Sequence, residues 1–255
     1  MAHVPAALRA LLSELIDYAG LYPPASLPLS IVEERYRGFR ASPERWMLNR
    51  LVLPMAKLPE ARPDPNWRIT LLVDGEPGPL PPQVQTLETK SSGCFALPTY
   101  FELPLESIQH GFAKIRTGGL VEEAIPSSQE LAQFLCDAAA IRVPFKATAG
   151  LHHPIRSLRP LTYALDSPRA VMHGFLNVFA GAAFAWHGMD CAYLATLLEE
   201  RDPAALSFTD NGLLWNGHRI TTGQIEEARR EFAHSFGSCS FEEPVSELRT
   251  LGLLP

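Results

Sequence analysis

The chain has 255 residues, 46% of them hydrophobic and 20% charged, with a formal net charge of −6. This composition supports a sizeable folded core and excludes the low-hydrophobicity, high-charge class of disordered chains. The acidic balance offers no basic field for a phosphate backbone, so nucleic acid is not the expected partner.

The first thirty residues mix Arg9, Glu14, Asp17 and prolines among apolar positions, unlike an export leader. Leu8, Leu11, Leu12, Leu15 and Ile16 recur at helical spacing, which predicts an amphipathic helix over 6–18. The segment from Asp17 to Pro24 then reads as the helix end, with Gly20 as C-cap and Pro23-Pro24 as the stop; its alternative place is across a barrel mouth. Short apolar runs at 47–53, 69–73, 84–87, 99–103, 112–115, 143–147 and 236–241 predict strands. The proline-rich stretch from Pro54 to Pro82 reads as loop around one of them.

Helical patterns fall at 127–140, 171–186, 191–199 and 222–234. Ser127 is placed to cap the first of these, with Glu130 in its opening turn. Strand, loop, helix and strand from Phe112 to Ala147 form one βαβ crossover. The alternation favours a parallel sheet, and the length matches the roughly 250 residues of a (β/α)₈ TIM-barrel-like fold. The expected architecture is a single α/β domain over 1–255, with an N-terminal helix and an irregular, helix-rich C-terminal third. The apolar stretch from Gly174 to Trp186 contains Asn177 and is too short for the ~20 residues of a membrane span, so it reads as a buried helix. His173 and Asn177, one helical turn apart, read as a hydrogen-bonded core pair.

Cys94, Cys136, Cys191 and Cys239 are widely spaced with no CxxC pair, which reads as a reducing, cytoplasmic setting. Cys239, in the Ser-Cys-Ser strand end, is a nucleophile in one reading, but with no partner evident in the sequence it reads first as a buried structural thiol.

Candidate chemistry gathers at two strand ends, Lys114-Ile115-Arg116-Thr117-Gly118-Gly119 and Lys146-Ala147-Thr148-Ala149-Gly150-Leu151-His152-His153. Only Lys57, Lys90, Lys114 and Lys146 among the 22 basic residues are lysine, and two of them occupy these consecutive strands. Lysine, unlike arginine, becomes a nucleophilic amine when it loses its proton. Two lysines on neighbouring strands are expected to lower each other's pKa by repulsion. Gly118, Gly119 and Gly150 leave backbone amides open to an anionic ligand.

These two segments resemble the consecutive lysine strands of deoxyribose-phosphate aldolase and other class I aldolases, Lys-x-x-x-Gly followed by Lys-Ala-x-x-Gly. The resemblance covers about forty residues. It implies a barrel in which Lys114 forms the Schiff base and Lys146 depresses its pKa. Gly237-Ser238 loosely matches the family's phosphate-holding turn, whereas Arg116 stands in place of a small hydroxyl residue and His152-His153 has no counterpart.

The expected function is therefore a Schiff-base-forming, aldolase-like lyase acting on a small carbonyl compound that carries a carboxylate or phosphate. Its catalytic candidates are Lys114, Lys146, Glu102 and His152. Its substrate-binding candidates are Arg116, Thr117, Gly118, Gly119, Thr148, Gly150, His153, Gly237 and Ser238. No cofactor, metal, nucleic acid or membrane is expected; the partner is a small anionic molecule, and self-association is left open. One alternative is a metal-dependent hydrolase or lyase using His152, His153 and strand-end glutamates among Glu102, Glu242 and Glu243. Another is a non-catalytic binding protein on a barrel, which predicts lysines capped by salt bridges and no pocket between them.

Overall fold

The computed structural model describes residues 3–255. Eight parallel strands close into a barrel, and the chain visits them in spatial order with one long excursion before the last. Helix α1 (Ala6–Leu12) leads into β1 (Ile16–Tyr18), and α2 (Leu29–Ala41) connects it to β2 (Leu48–Pro54). The strands β3 (Ile69–Leu72), β4 (Val84–Thr89), β5 (Thr99–Phe101) and β6 (Phe112–Arg116) follow, joined by loops and short 3₁₀ turns in place of α-helices. Helix α3 (Ser128–Ala140) restores the crossover to β7 (Phe145–Thr148).

After β7 the chain forms a hairpin, β8 (Ser157–Pro160) and β9 (Arg169–Met172), then α4 (Phe175–Trp186) and α5 (Cys191–Leu198). A three-stranded antiparallel meander of β10 (Ser207–Thr209), β11 (Gly212–Trp215) and β12 (His218–Thr221) precedes α6 (Thr222–Glu231). Strand β13 (Ala233–Ser238) then slots between β7 and β1, and α7 (Glu242–Thr250) follows it. The expected parallel barrel is what forms, including the shared direction of the strands carrying Lys114 and Lys146.

Three expectations are corrected. The opening helix ends at Leu12, because Glu14 turns the backbone into the left-handed region and residues 16–18 pair with β2 and β13. Residues 171–172 and 233–234, expected to be helical, belong to β9 and β13. Cys136 on α3 and Cys191 on α5 are disulfide-bonded with Cα atoms 6.2 Å apart, a proximity created by helix packing across 55 residues and invisible to linear spacing. Among the described residues, no helix is long and apolar enough to cross a membrane.

Strand alternation decides what faces the barrel axis. Phe145 and Phe236 face outward and pack on α4, with ring centroids 6.1 Å from Phe179 and 5.4 Å from Phe175 respectively. Lys146 and Ser235, their neighbours in sequence, therefore point inward. Helix α4 is apolar on every side because it lies between the barrel and α3, α5 and α6, and its residues 175–185 are all buried. His173 and Asn177 are the hydrogen-bonded core pair that was expected. His173 Nε2 lies 2.7 Å from the Pro126 carbonyl, and Asn177 donates to the carbonyls of Leu197 (3.0 Å) and Glu200 (2.9 Å).

Candidate active site

Lys114 and Lys146 are direct register partners on β6 and β7, so both ammonium groups project into the barrel at one level. Glu88, from β4, lies between them: Oε2 is 2.8 Å from Lys114 Nζ and Oε1 is 2.5 Å from Lys146 Nζ. Lys146 also donates to Asp17 of β1, whose Oδ2 accepts a 2.8 Å hydrogen bond from Ser235 Oγ and whose Oδ1 accepts one of 3.1 Å from the Arg50 amide. Lys114 reaches Glu102 at 3.1 Å, and Glu102 also binds Arg116 at 3.0 Å.

This geometry overturns the expected depression of the Lys146 pKa by its neighbouring lysine. Burial favours the neutral amine of Lys146, but Asp17 and Glu88 outweigh it and push the pKa upward. Glu88 shows the matching effect: burial would raise its pKa, yet Lys146 and Lys114 hold it at about 2. The carboxylate between the two cations replaces repulsion with attraction.

A cavity of about 410 Å³ opens at the C-terminal ends of the barrel strands, the face where such barrels place their ligand sites. Lys114, Glu88 and Arg116 line it, whereas Lys146 lies beneath with 1% of its surface exposed. Pro23 and Pro24 also line the cavity, so the Asp17–Pro24 segment crosses the mouth and does not cap a helix. The binding-only alternative is met by half: the lysines are capped by carboxylates, and a pocket is nevertheless present.

The expected substrate-binding residues separate into two groups. Arg116, Gly119, Thr148, Gly150, His153 and Gly237 line the cavity. Thr117, Gly118 and Ser238 instead shape its frame. Thr117 Oγ1 donates to the Ala149 carbonyl at 2.5 Å, and Ser238 Oγ donates to the Ser240 carbonyl at 2.6 Å. Gly118 and Gly150 pack backbone to backbone; a Cβ on Gly150 would come within 2.8 Å of Gly118 Cα, and Gly150 has φ of +79°. Only glycine tolerates both conditions, which is why the two motifs meet through their glycines.

His152 and His153 each pair with a glutamate of α7, His152 Nδ1 with Glu243 at 3.0 Å and His153 Nδ1 with Glu247 at 2.7 Å. Glu242 turns away to Arg35 at 3.4 Å, and Glu102 belongs to the lysine network. Among the described residues no three His, Cys, Asp or Glu side chains are arranged to hold a metal, so the ligand set imagined for a metal-dependent enzyme does not assemble.

Sequence reasoning missed Glu88 and Tyr163 as members of the site, and it ranked a structural role first for Cys239 and for the segment that holds Asp17. Glu88 carried a usable signal: it is a carboxylate at the end of an apolar strand predicted to lie in the same barrel. Asp17 was hidden by the helical reading of 6–18, and Tyr163 lies in a hairpin turn that no periodicity announces.

Compared with protein-family models, curated proteins and solved structures, the chain matches none. Fold and site thus define an eight-stranded parallel α/β barrel with an ionic cluster below a cavity at its C-terminal mouth.

Proposed function

We propose that the protein is a Schiff-base-forming lyase for a small carbonyl compound bearing a carboxylate or phosphate. The observation that carries this reading is the asymmetry of the two lysines: Lys114 borders the cavity, and Lys146 is sealed below it. Lys114 has the carboxylates of Glu88 and Glu102 at 2.8 and 3.1 Å, and Glu102, the less buried of the two, takes the ammonium proton before the amine attacks a carbonyl carbon. Water then leaves, and the protonated imine draws electrons from the adjacent carbon–carbon bond. Lys146 keeps Glu88 ionised and positioned. Arg116 supplies a cation at the rim for the substrate's anionic group.

Borohydride reduction in the presence of a panel of small aldehydes and 2-keto acids tests this directly. The expected adduct maps to Lys114 by peptide mass spectrometry. Lys114→Arg abolishes it, because arginine keeps the charge without a free amine, whereas Lys146→Arg retains trapping at a reduced rate. An adduct on neither lysine across the panel would overturn the reading.

A further inference from the structure

Cys239 follows β13 and shares the cavity wall with His152 and Glu243. His152 Nε2 lies 3.9 Å from Cys239 Sγ, while Nδ1 of the same ring lies 3.0 Å from Glu243 Oε2. Tyr163, from the turn between β8 and β9, donates to Glu243 Oε2 at 3.0 Å, and its hydroxyl lies 3.7 Å from Sγ. A thiol, an imidazole and a carboxylate are thus joined in a line, with the carboxylate holding the ring so that its other nitrogen faces sulfur. This is the arrangement by which a base activates a nucleophile and a third group orients the base.

We propose that Cys239, His152 and Glu243 form a second nucleophilic centre of this cavity, one that accepts an acyl group from an ester or thioester. It is independent of the imine reading, since none of its members touches Lys114. His152 takes the Sγ proton, and the sulfur attacks the acyl carbonyl carbon. The bond to the alkoxide or thiolate leaving group breaks, and that group receives the proton from Nε2. Water, giving a proton to Nε2, then attacks the resulting thioester; the C–S bond breaks and the proton returns to sulfur. The net change is addition of water across the acyl bond, with no oxidant or reductant.

The charges agree with these roles. Burial disfavours the His152 cation, yet Cys239 and Glu243 raise its pKa to about 9. Burial alone would raise the Cys239 pKa, but hydrogen bonding and attraction from His152 bring it below the ordinary thiol value. The four residues come from the β7–β8 loop, the hairpin turn, the β13–α7 connection and the first turn of α7, and the cavity is where those segments meet.

The chain carries its own reference in Cys94, a free and exposed thiol. The protein is incubated with p-nitrophenyl acetate, quenched in acid and mapped by mass spectrometry. We expect a hydroxylamine-labile acetyl group on Cys239, formed at least tenfold faster than on Cys94 at neutral pH. It disappears in Cys239→Ser and falls about a hundredfold in His152→Gln, within the range for loss of a general base. The rate for Cys239 in the parent protein should plateau below the ordinary thiol pKa of about 8.5, a reading that needs no variant to fold. Acetylation of Cys239 no faster than Cys94, with no plateau below that pH, would overturn the proposal. Trapping on Lys114 without a Cys239 thioester, or the reverse, separates this centre from the imine chemistry.

Discussion

Burying an ammonium group costs several kcal/mol unless a carboxylate comes with it, and β6 and β7 bury two at the same level of the barrel. Glu88 is the residue that makes this tolerable, since each of its oxygens faces one lysine. Glu88→Gln would leave Lys146 with Asp17 alone and Lys114 with Glu102 alone. We expect a loss of about 3–5 kcal/mol, the range for breaking a buried ion pair, read as a lower urea midpoint. The same residue sets an acid limit. Its pKa falls from an ordinary 4.5 to about 2 on folding, so its contribution is complete above pH 4.5 and drains away as the pH falls towards 2. The parent's urea midpoint should therefore drop through that window more steeply than that of Glu88→Gln. Parallel slopes would mean that Glu88 does not carry the acid sensitivity. At this scale lysine scarcity led to the right strands but to the wrong electrostatics. Chain position shows which cations are neighbours and does not show which anion the barrel inserts between them.

Elements were legible where a boundary carries its own chemistry. Helix α3 begins within one residue of expectation because Ser127 Oγ accepts the Glu130 amide at 3.2 Å and Glu130 Oε2 accepts the Ser127 amide at 2.8 Å, a reciprocal cap written in the sequence. Helix α6 has the same device in Thr221 and Gln224. Strand β1, three residues long, holds too little pattern to compete with the helical spacing before it. The hairpin and meander strands, three or four residues each, escaped for the same reason. Helix α4 shows how one polar residue can organise an apolar element. Asn177 accepts from the Arg156 amide at 3.0 Å while donating to the ends of the α5 region, so it ties the loop after β7 to the helices behind it. Asn177→Leu would keep the number of side-chain heavy atoms and strand the Arg156 amide and the Glu200 carbonyl, while the Leu197 carbonyl keeps the Glu200 amide. We expect it to cost about 3 kcal/mol, from unmet buried hydrogen bonds of roughly 1–3 kcal/mol each that partly relax. Hydrogen exchange should show the Arg156 amide losing protection with the change in global stability or beyond it. An unchanged Arg156 amide would contradict this role for Asn177.

The whole molecule depends on a seam. A parallel barrel closes only if its first and last strands meet, and here β1 must pair with β2 on one side and β13 on the other. Three residues of β1 supply few backbone hydrogen bonds for that task. Asp17 adds what the strand lacks: its carboxylate takes the Arg50 amide of β2, the Ser235 hydroxyl of β13 and the Lys146 ammonium of β7. One side chain thus fastens its own strand to three others across the barrel interior. Asp17→Asn preserves the shape and one acceptor oxygen but removes the charge opposite Lys146, which then relies on Glu88 alone. We expect a loss of about 3–5 kcal/mol, as for any buried pair deprived of one partner. Because the seam holds the barrel as a unit, far-UV and near-UV circular dichroism should lose their signals together in urea, at a lower midpoint than in the parent. If the near-UV transition instead came first and the far-UV midpoint stayed put, Asp17 would be supporting local packing at the mouth, and barrel closure would have to rest on the strand hydrogen bonds themselves.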